Sequence, residues 1–295
     1  MAWLEININT SDRFIDEISD HLQQFGAEAI TFKDNADTPI YEPSPEKIIY
    51  WPNTCVTALF KETLDIKPIL EWAKIKKDGN IIEDFSCNLL KDRDWERVCL
   101  QDIKPLQMGK RLWICPSWET PPEPHAINLM LDPGLAFGTG AHQTTALCLE
   151  WLDQQIQGEE VVIDYGCGSG ILGLAALKLG AKQIYAIDID PQALLTTREN
   201  AKRNGITDAS INCFLPEEAS LLIQPAEILI ANILLQPLKT LAPQFAQFVF
   251  PGGKILLSGI LTSQLDEIRE SYSPWFTFHQ TTSRDEWACI SGFRS

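Results

Sequence analysis

Val161-Val162-Ile163-Asp164-Tyr165-Gly166-Cys167-Gly168-Ser169-Gly170 decides the fold of this 295-residue chain. A β-branched apolar run ends in an acidic residue and then in glycines at every second position. Ile171, Leu172, Leu174, Ala175 and Leu179 follow at helical spacing. The pattern predicts a strand that turns sharply into a helix whose N-terminus approaches a ligand closely. Glycines permit the tight turn and the near backbone contact, and the free N–H groups of the first helical turn supply donors. The ligand expected there is a nucleoside-like cofactor.

Which cofactor follows from the glycine spacing. The dinucleotide fingerprint needs glycine at its first, third and sixth positions, and here the sixth is Ile171. Gly166, Gly168 and Gly170 behind Asp164 resemble instead the glycine turn of S-adenosylmethionine-dependent methyltransferases. A second run, Gln183-Ile184-Tyr185-Ala186-Ile187, ends in Asp188, 20 residues after Gly168. A carboxylate at the tip of the second strand accepts both ribose hydroxyls, which serves NAD and adenosylmethionine alike. Asp188 therefore indicates ribose, and the glycines indicate which nucleoside.

Composition bounds the class of protein. A chain of this length suggests two domains, because a single core seldom grows beyond ~250–300 residues. Trp3-Leu4-Glu5-Ile6-Asn7-Ile8 alternates like a strand and lacks the basic start and apolar block of a signal peptide. No apolar run reaches the ~18 residues that span a bilayer, so a cytoplasmic protein is expected. The eight cysteines include no pair two or three residues apart, which excludes an ordinary zinc knuckle or thioredoxin-like motif and predicts reduced, mostly buried thiols. Cys167 lies inside the glycine turn, where an alkylating reagent could reach it, and is assigned no chemistry. No metal site is expected. The net charge is −16, and both halves of the chain share it. Such a surface repels phosphate backbones, which argues against nucleic acid as the primary partner, and it attracts a basic protein. Solubility alone is the other reading of that charge.

Along the chain, Leu4, Ile6 and Ile8 read as one strand face. Thr10-Ser11-Asp12 offers N-caps for a helix with the stripe Phe14, Ile18, Leu22 and Phe25, stopped by Gly26. Ala29 to Phe32, Val56 to Phe60 and Ile81 to Leu89 read as strands, and Lys67 to Lys74 as a short helix. The order β-α-β-β-α-β is that of a ferredoxin-like domain, placed at residues 1–90. A charged, helix-prone run, Lys91 to Arg97, predicts a linker helix over 91–105. Residues 106–295 then alternate strands near 161–164, 184–188, 211–214, 228–231 and 253–257 with helices, the pattern of a doubly wound, mostly parallel sheet. The segment Trp287 to Ser291 is expected to add an antiparallel edge strand.

Two further motifs carry chemistry. Leu131-Asp132-Pro133-Gly134-Leu135-Ala136-Phe137-Gly138-Thr139-Gly140-Ala141-His142-Gln143-Thr144-Thr145 reads as a glycine-rich loop ending in a helix cap. Thr144 or Thr145 is a candidate for capping that helix and for touching the methionine part of the cofactor, and Phe137 for covering it or simply packing. His142 is more simply a non-catalytic loop residue. The apolar run Ile228 to Ala231 ends at Asn232, where a fourth strand would meet the crevice at the switch in strand order. In methyltransferases acting on amide or exocyclic amino nitrogen, two prolines and an aromatic residue follow such an Asn; here Ile233 and Leu234 stand instead of the prolines. An aliphatic amine is the acceptor this favours. Helix capping by Asn232 is the alternative.

Together "LDPGLAFGTGAHQTT", "DYGCGSG", "AIDIDPQA", "ANILLQPL" and "RLWICPSW" resemble the bacterial ribosomal protein methyltransferase family that modifies protein eleven of the large ribosomal subunit. The resemblance covers essentially the whole chain. It implies a Rossmann-like class I methyltransferase domain with a seven-stranded sheet, preceded by a small α+β ferredoxin-like domain that recognises the substrate. It implies S-adenosyl-L-methionine as cofactor, S-adenosyl-L-homocysteine as product, and trimethylation of lysine ε-amines and the N-terminal α-amine. Carried over by position, the cofactor residues are Thr145, Gly166, Asp188 and Asn232; the glycine turn adds Gly168 and Asp164, and the loop Phe137. Asn232 is the candidate catalytic residue. The chain departs from the family pattern at Ala141 and Gln143, where Thr and Pro are frequent, which bears on loop rigidity. The enzyme is expected to act as a monomer, before or during ribosome assembly, without membrane or nucleic acid. Competing readings are an NAD-dependent oxidoreductase, a methyltransferase for another protein, a small molecule or RNA, and a non-catalytic assembly factor with a vestigial cofactor site.

Overall fold

The structure is a computed structural model that describes residues 2–36, 38, 40, 49–90, 103–132, 140 and 142–295. The chain divides into two compact units, Met1–Cys99 and Leu100–Ser295. The expected linker helix over 91–105 falls largely outside the described residues; 103–105, which are described, are not helical.

The first unit runs β1 (Trp3–Ser11), α1 (Ile15–Gln24), β2 (Ala29–Asp34), β3 (Asn53–Lys61), α2 (Lys67–Asp78) and β4 (Asp84–Leu90). Its sheet has the order β2-β3-β1-β4 with every pair antiparallel, the ferredoxin-like arrangement. Alternation puts Ile6 and Ile8 of β1 beside Val56, Ala58 and Phe60 of β3, all fully buried. Ile15, Ile18 and Leu22 form the buried stripe of α1 against them. The N-caps expected at Thr10-Ser11-Asp12 do not form. β1 continues through Ser11, Thr10 pairs with Thr54 across the ladder, and its hydroxyl donates to the Ile81 carbonyl at 2.7 Å. A strand partner and a distant acceptor outcompete the cap.

The second unit opens with β5 (Leu106–Met108), β6 (Leu112–Cys115) and β7 (Ile127–Met130), a three-stranded sheet that the sequence pattern does not announce. Then follow α3 (Gln143–Gln155), β8 (Val161–Tyr165), α4 (Ile171–Leu179), β9 (Gln183–Ile187), α5 (Pro191–Arg203), β10 (Ile211–Phe214), α6 (Pro216–Leu222) and β11 (Ala226–Asn232). α7 (Leu235–Phe248), β12 (Val249–Leu261), α8 (Leu265–Tyr272), β13 (Phe276–Arg284) and β14 (Trp287–Arg294) complete it. The seven-stranded sheet has the order β10-β9-β8-β11-β12-β14-β13. β8 to β12 are parallel, whereas β14 pairs antiparallel with both β12 and β13. β14 is antiparallel as expected but not the edge; that position belongs to β13.

Both faces of this sheet are covered, which is why its central strands read as unbroken apolar runs. Val162, Ile228 and Ile230 enter one core with α3 and α4, while Ile163, Leu229 and Ala231 enter the other with α7. By the same alternation Asp164 and Asn232 lie on the α3–α4 side. Among the described residues, no helix is long and apolar enough to cross a membrane.

Candidate active site

The carboxyl ends of the central strands open into a cavity of about 1000 Å³, at the point where the strand order reverses between β8 and β11. Gly166, Cys167 and Gly168 form one wall, Asp188 and Ile189 follow β9, and Pro216 and Glu217 follow β10. Asn232, Ile233 and Leu234 follow β11, and His142, Thr144, Thr145, Gly259 and Trp287 close the other side.

The glycine turn is held from below. The N–H groups of Gly166 and Cys167 donate to the Ile187 carbonyl at 2.7 and 3.0 Å. Gly166 has φ +76°, and a methyl group there would lie 2.3 Å from Ile233 Cγ2. The position needs glycine twice over, for its backbone conformation and for the close approach.

Asp188 is oriented before any ligand arrives. Gly168 N–H donates to Oδ2 at 2.9 Å and Asp190 N–H to Oδ1 at 3.0 Å. Each oxygen retains a second lone pair, so the carboxylate suits a vicinal diol. Those hydrogen bonds, the bare backbone at Gly166 and a cavity at the upper end of the usual ~300–1,000 Å³ range together fit an adenosine-bearing cofactor. Asp188→Ala is expected to weaken adenosylmethionine binding at least about tenfold, since a charge-assisted hydrogen bond contributes roughly 1.5–3 kcal/mol. Calorimetry on the folded variant measures it, and an unchanged affinity removes Asp188 from the site.

Asn232 and Thr145, 87 positions apart, meet here: Asn232 Nδ2 donates to Thr145 Oγ1 at 3.4 Å. Neither threonine caps α3. His142 is the N-cap, its ring nitrogen accepting from the Thr144 N–H at 3.4 Å and lying 2.8 Å from Thr144 Oγ1. Thr144 and Thr145 are themselves 1% exposed, so their hydroxyls face inward. Nor does Asn232 cap α7, whose N-cap is Leu234 with no side-chain bond.

Of the residues singled out in the sequence, the structure brings Thr145, Gly166, Gly168, Asp188 and Asn232 to one cavity. Asp164 is not among them. It is 1% exposed and accepts from the Gly173 N–H at 2.9 Å, anchoring the first turn of α4 beneath the glycines. Phe137 and most of its loop lie outside the described residues. Cys167 reaches the cavity wall but is 5% exposed, and burial pushes its thiol well above the ordinary value. A thiol held protonated alkylates slowly, so alkylation of Cys167 is expected to be slow.

Burial also raises the Asp164 carboxyl from 3.8 to about 7, opposed by the Gly173 N–H and assisted by the Asp188 charge. The folded state thus holds a proton that the unfolded chain releases. The contribution of Asp164 to stability is therefore expected to be full below about pH 4, to fall as pH rises towards 7, and to level off above. Asp164→Asn retains an acceptor for Gly173 and is expected to remove that slope. Urea midpoints from pH 4 to 8 test it; parallel profiles for variant and wild type would count against the buried, protonated carboxyl.

Sequence reasoning missed Tyr165, Pro216, Glu217, Gly259 and Trp287. Pro216-Glu217 stands one residue beyond the predicted strand 211–214, so its place at the crevice was available from strand order. Trp287 opens the predicted terminal strand, and nothing local indicates that this end of it faces the cavity. Its ring meets His142 edge-on at 5.0 Å.

The family profile of ribosomal protein L11 methyltransferase (PrmA) matches residues 2–295. The chain belongs to this family. A ribosomal protein L11 methyltransferase of Actinobacillus pleuropneumoniae serotype 5b (strain L20) is 47% identical over the full length of both chains. One from Marinobacter nauticus is 45% identical over all of this chain and 99% of its own. The crystal structure of a ribosomal protein L11 methylase from Lactobacillus delbrueckii subsp. bulgaricus superposes with a TM-score of 0.60 at 32% identity, covering 65% of this chain and all of that one. Members of the family are S-adenosylmethionine-dependent methyltransferases, so the adenosine-bearing cofactor that the site fits is S-adenosylmethionine.

Proposed function

We propose that this enzyme transfers methyl groups from S-adenosylmethionine to ribosomal protein L11, on lysine ε-amines and the N-terminal α-amine, through to the trimethylated state. Full-length similarity to L11 methyltransferases supports the substrate. The observation that carries the chemistry is the meeting of Asn232 and Thr145 in the cavity that also holds the anchored Asp188 carboxylate.

When bound, the cofactor supplies a methyl group on a sulfonium that leaves readily. The protein's work is then placement of a neutral amine in line with that methyl. Asp188 binds the ribose, and the turn at Gly166 to Gly168 lets the backbone approach it. A lysine amine titrates near 10.4 in water. The apolar walls formed by Ile171, Leu172, Leu234 and Leu241 favour its uncharged form on entry. Asn232, its amide held through Thr145, orients that amine by its oxygen or the neighbouring carbonyl and removes no proton. A planar acceptor would want the rigid proline turn that Ile233 and Leu234 replace.

The enzyme acts as a monomer in the cytoplasm, on L11 before or during ribosome assembly. In support, the described cysteines are all free thiols, in keeping with a reducing compartment. The test is incubation with isotope-labelled S-adenosylmethionine and undermethylated L11, the labelled residues being identified by mass spectrometry. Trimethyl-lysine and a methylated N-terminus are expected. Intact cofactor binding without label in L11 would point to the vestigial-site reading.

A further inference from the structure

The residue after Asn232 stands in an unusual cleft. Ile233 is half-buried and lines the cavity. On one side is Gly166, where a methyl group would fall 2.3 Å from Ile233 Cγ2. On the other is Gly259, at φ +81°, where a methyl group would fall 2.5 Å from the Ile233 carbonyl oxygen and 2.9 Å from its backbone carbon and nitrogen. Gly259 lies where the β12–β14 ladder slips register between Leu257 and Ile260. The preceding pair, Asn232 with Ser258, is still in parallel register, and Ser258 Oγ donates to the Ala288 carbonyl at 3.1 Å. A bulge is a device for re-aiming a strand end beside a site, and here it brings one backbone against another.

We propose that Ile233, wedged between Gly166 and Gly259, is a positioning residue that fixes the Asn232–Ile233 peptide and so sets the line along which the acceptor amine meets the methyl group. This rests on the reading of Asn232 as the group that orients the amine. Where a double proline stiffens the corresponding turn covalently, this chain stiffens it by packing. The side-chain branch of Ile233 is held on the glycine turn that the cofactor crosses, and its backbone is held on the bulge. One wedge therefore registers the acceptor's guide against the donor's cradle. The same fit governs how far the nitrogen can turn between successive methyl transfers.

The test compares Ile233→Ala, Ile233→Leu and Ile233→Val in the full-length enzyme. Leucine keeps the volume but has no Cγ2 to set against Gly166, and such isomeric swaps are tolerated by the fold. Valine keeps the branch. Turnover at saturating S-adenosylmethionine and L11 is expected to fall about tenfold or more in the alanine and leucine variants, because small misplacements at the reacting centre cost that much or more. Mono- and dimethylated L11 should accumulate in both. Cofactor affinity by calorimetry and KM for L11 should stay within about twofold, and Ile233→Val should recover near-normal kcat. The leucine variant carries the test if the alanine variant does not fold. Leucine turnover and product distribution like wild type would overturn the proposal, as would a loss confined to cofactor affinity. Asn232→Ala measured alongside separates the two readings. Loss there with a normal Ile233→Leu defeats the wedge alone, and the converse defeats the role of Asn232.

Discussion

Asn232→Ala is expected to lower turnover about a hundredfold at saturating S-adenosylmethionine, because one well-placed polar contact at a reacting centre commonly contributes that much. Cofactor affinity should change far less, since the proposed ribose partner is Asp188, whose two backbone donors come from Gly168 and Asp190. The structure removes one competing expectation. A strand-end Asn that capped the next helix would lose about 1 kcal/mol of stability on truncation, but α7 begins at a Leu234 cap without any side-chain bond. What remains is a contrast between turnover and binding. Thr145 offers an internal control, because its hydroxyl is the partner of the Asn232 amide. Thr145→Val should reproduce part of the turnover loss by releasing that amide, without removing the amide itself. Single-turnover rates with the cofactor saturated are the measurement. A near-normal rate in Asn232→Ala would defeat the orienting role, and weaker cofactor binding with unchanged turnover would make Asn232 a cofactor contact only.

How much of this was legible in the sequence depends on the range over which each feature is encoded. The turn at Gly166 to Gly170 and the acid at Asp188 are local patterns, and both stand where the sequence puts them. Asp164 shows how a local pattern misleads: an acid at a strand tip looks like a ligand contact. Yet it shares a face with Val162 and pairs in register with Ile230, so it points beneath α4. Alternation along β8 contained that information, and only the pairing with its neighbours makes it decisive. The bond between Asn232 and Thr145 spans 87 positions, and no local signal marks it. β13 escaped because an edge strand has little to bury: apart from Phe276 and Phe278 it reads as polar, and most of it is exposed. The three short strands β5 to β7 span three or four residues each, too few for a period to register. The wedge at Ile233 was the least visible of all, since it is made by two glycines 93 positions apart whose significance lies in what a side chain there would strike.

Removing residues 1–90 is expected to leave cofactor binding intact while methylation of L11 falls at least about a hundredfold, the loss that follows when remote recognition no longer places the acceptor. Every described residue that lines the cavity belongs to the unit Leu100–Ser295. That unit also owns both of the cores that sandwich the seven-stranded sheet, whereas among the described residues the core of the first unit runs from Leu4 to Phe85. The described lining of the cofactor cavity is therefore supplied by the second unit. Recognition of a folded ribosomal protein is a different demand. A single lysine entering the cavity offers little surface, and the transition state gains nothing from substrate groups that the protein does not hold. The decisive comparison pairs L11 with a short lysine peptide. If the first unit supplies recognition, the truncated enzyme should methylate both at the same low rate, and the full-length enzyme should prefer L11 strongly. Calorimetry with S-adenosylmethionine confirms that the truncated chain is folded and loaded. Undiminished methylation of L11 by that chain would assign recognition to the catalytic unit itself.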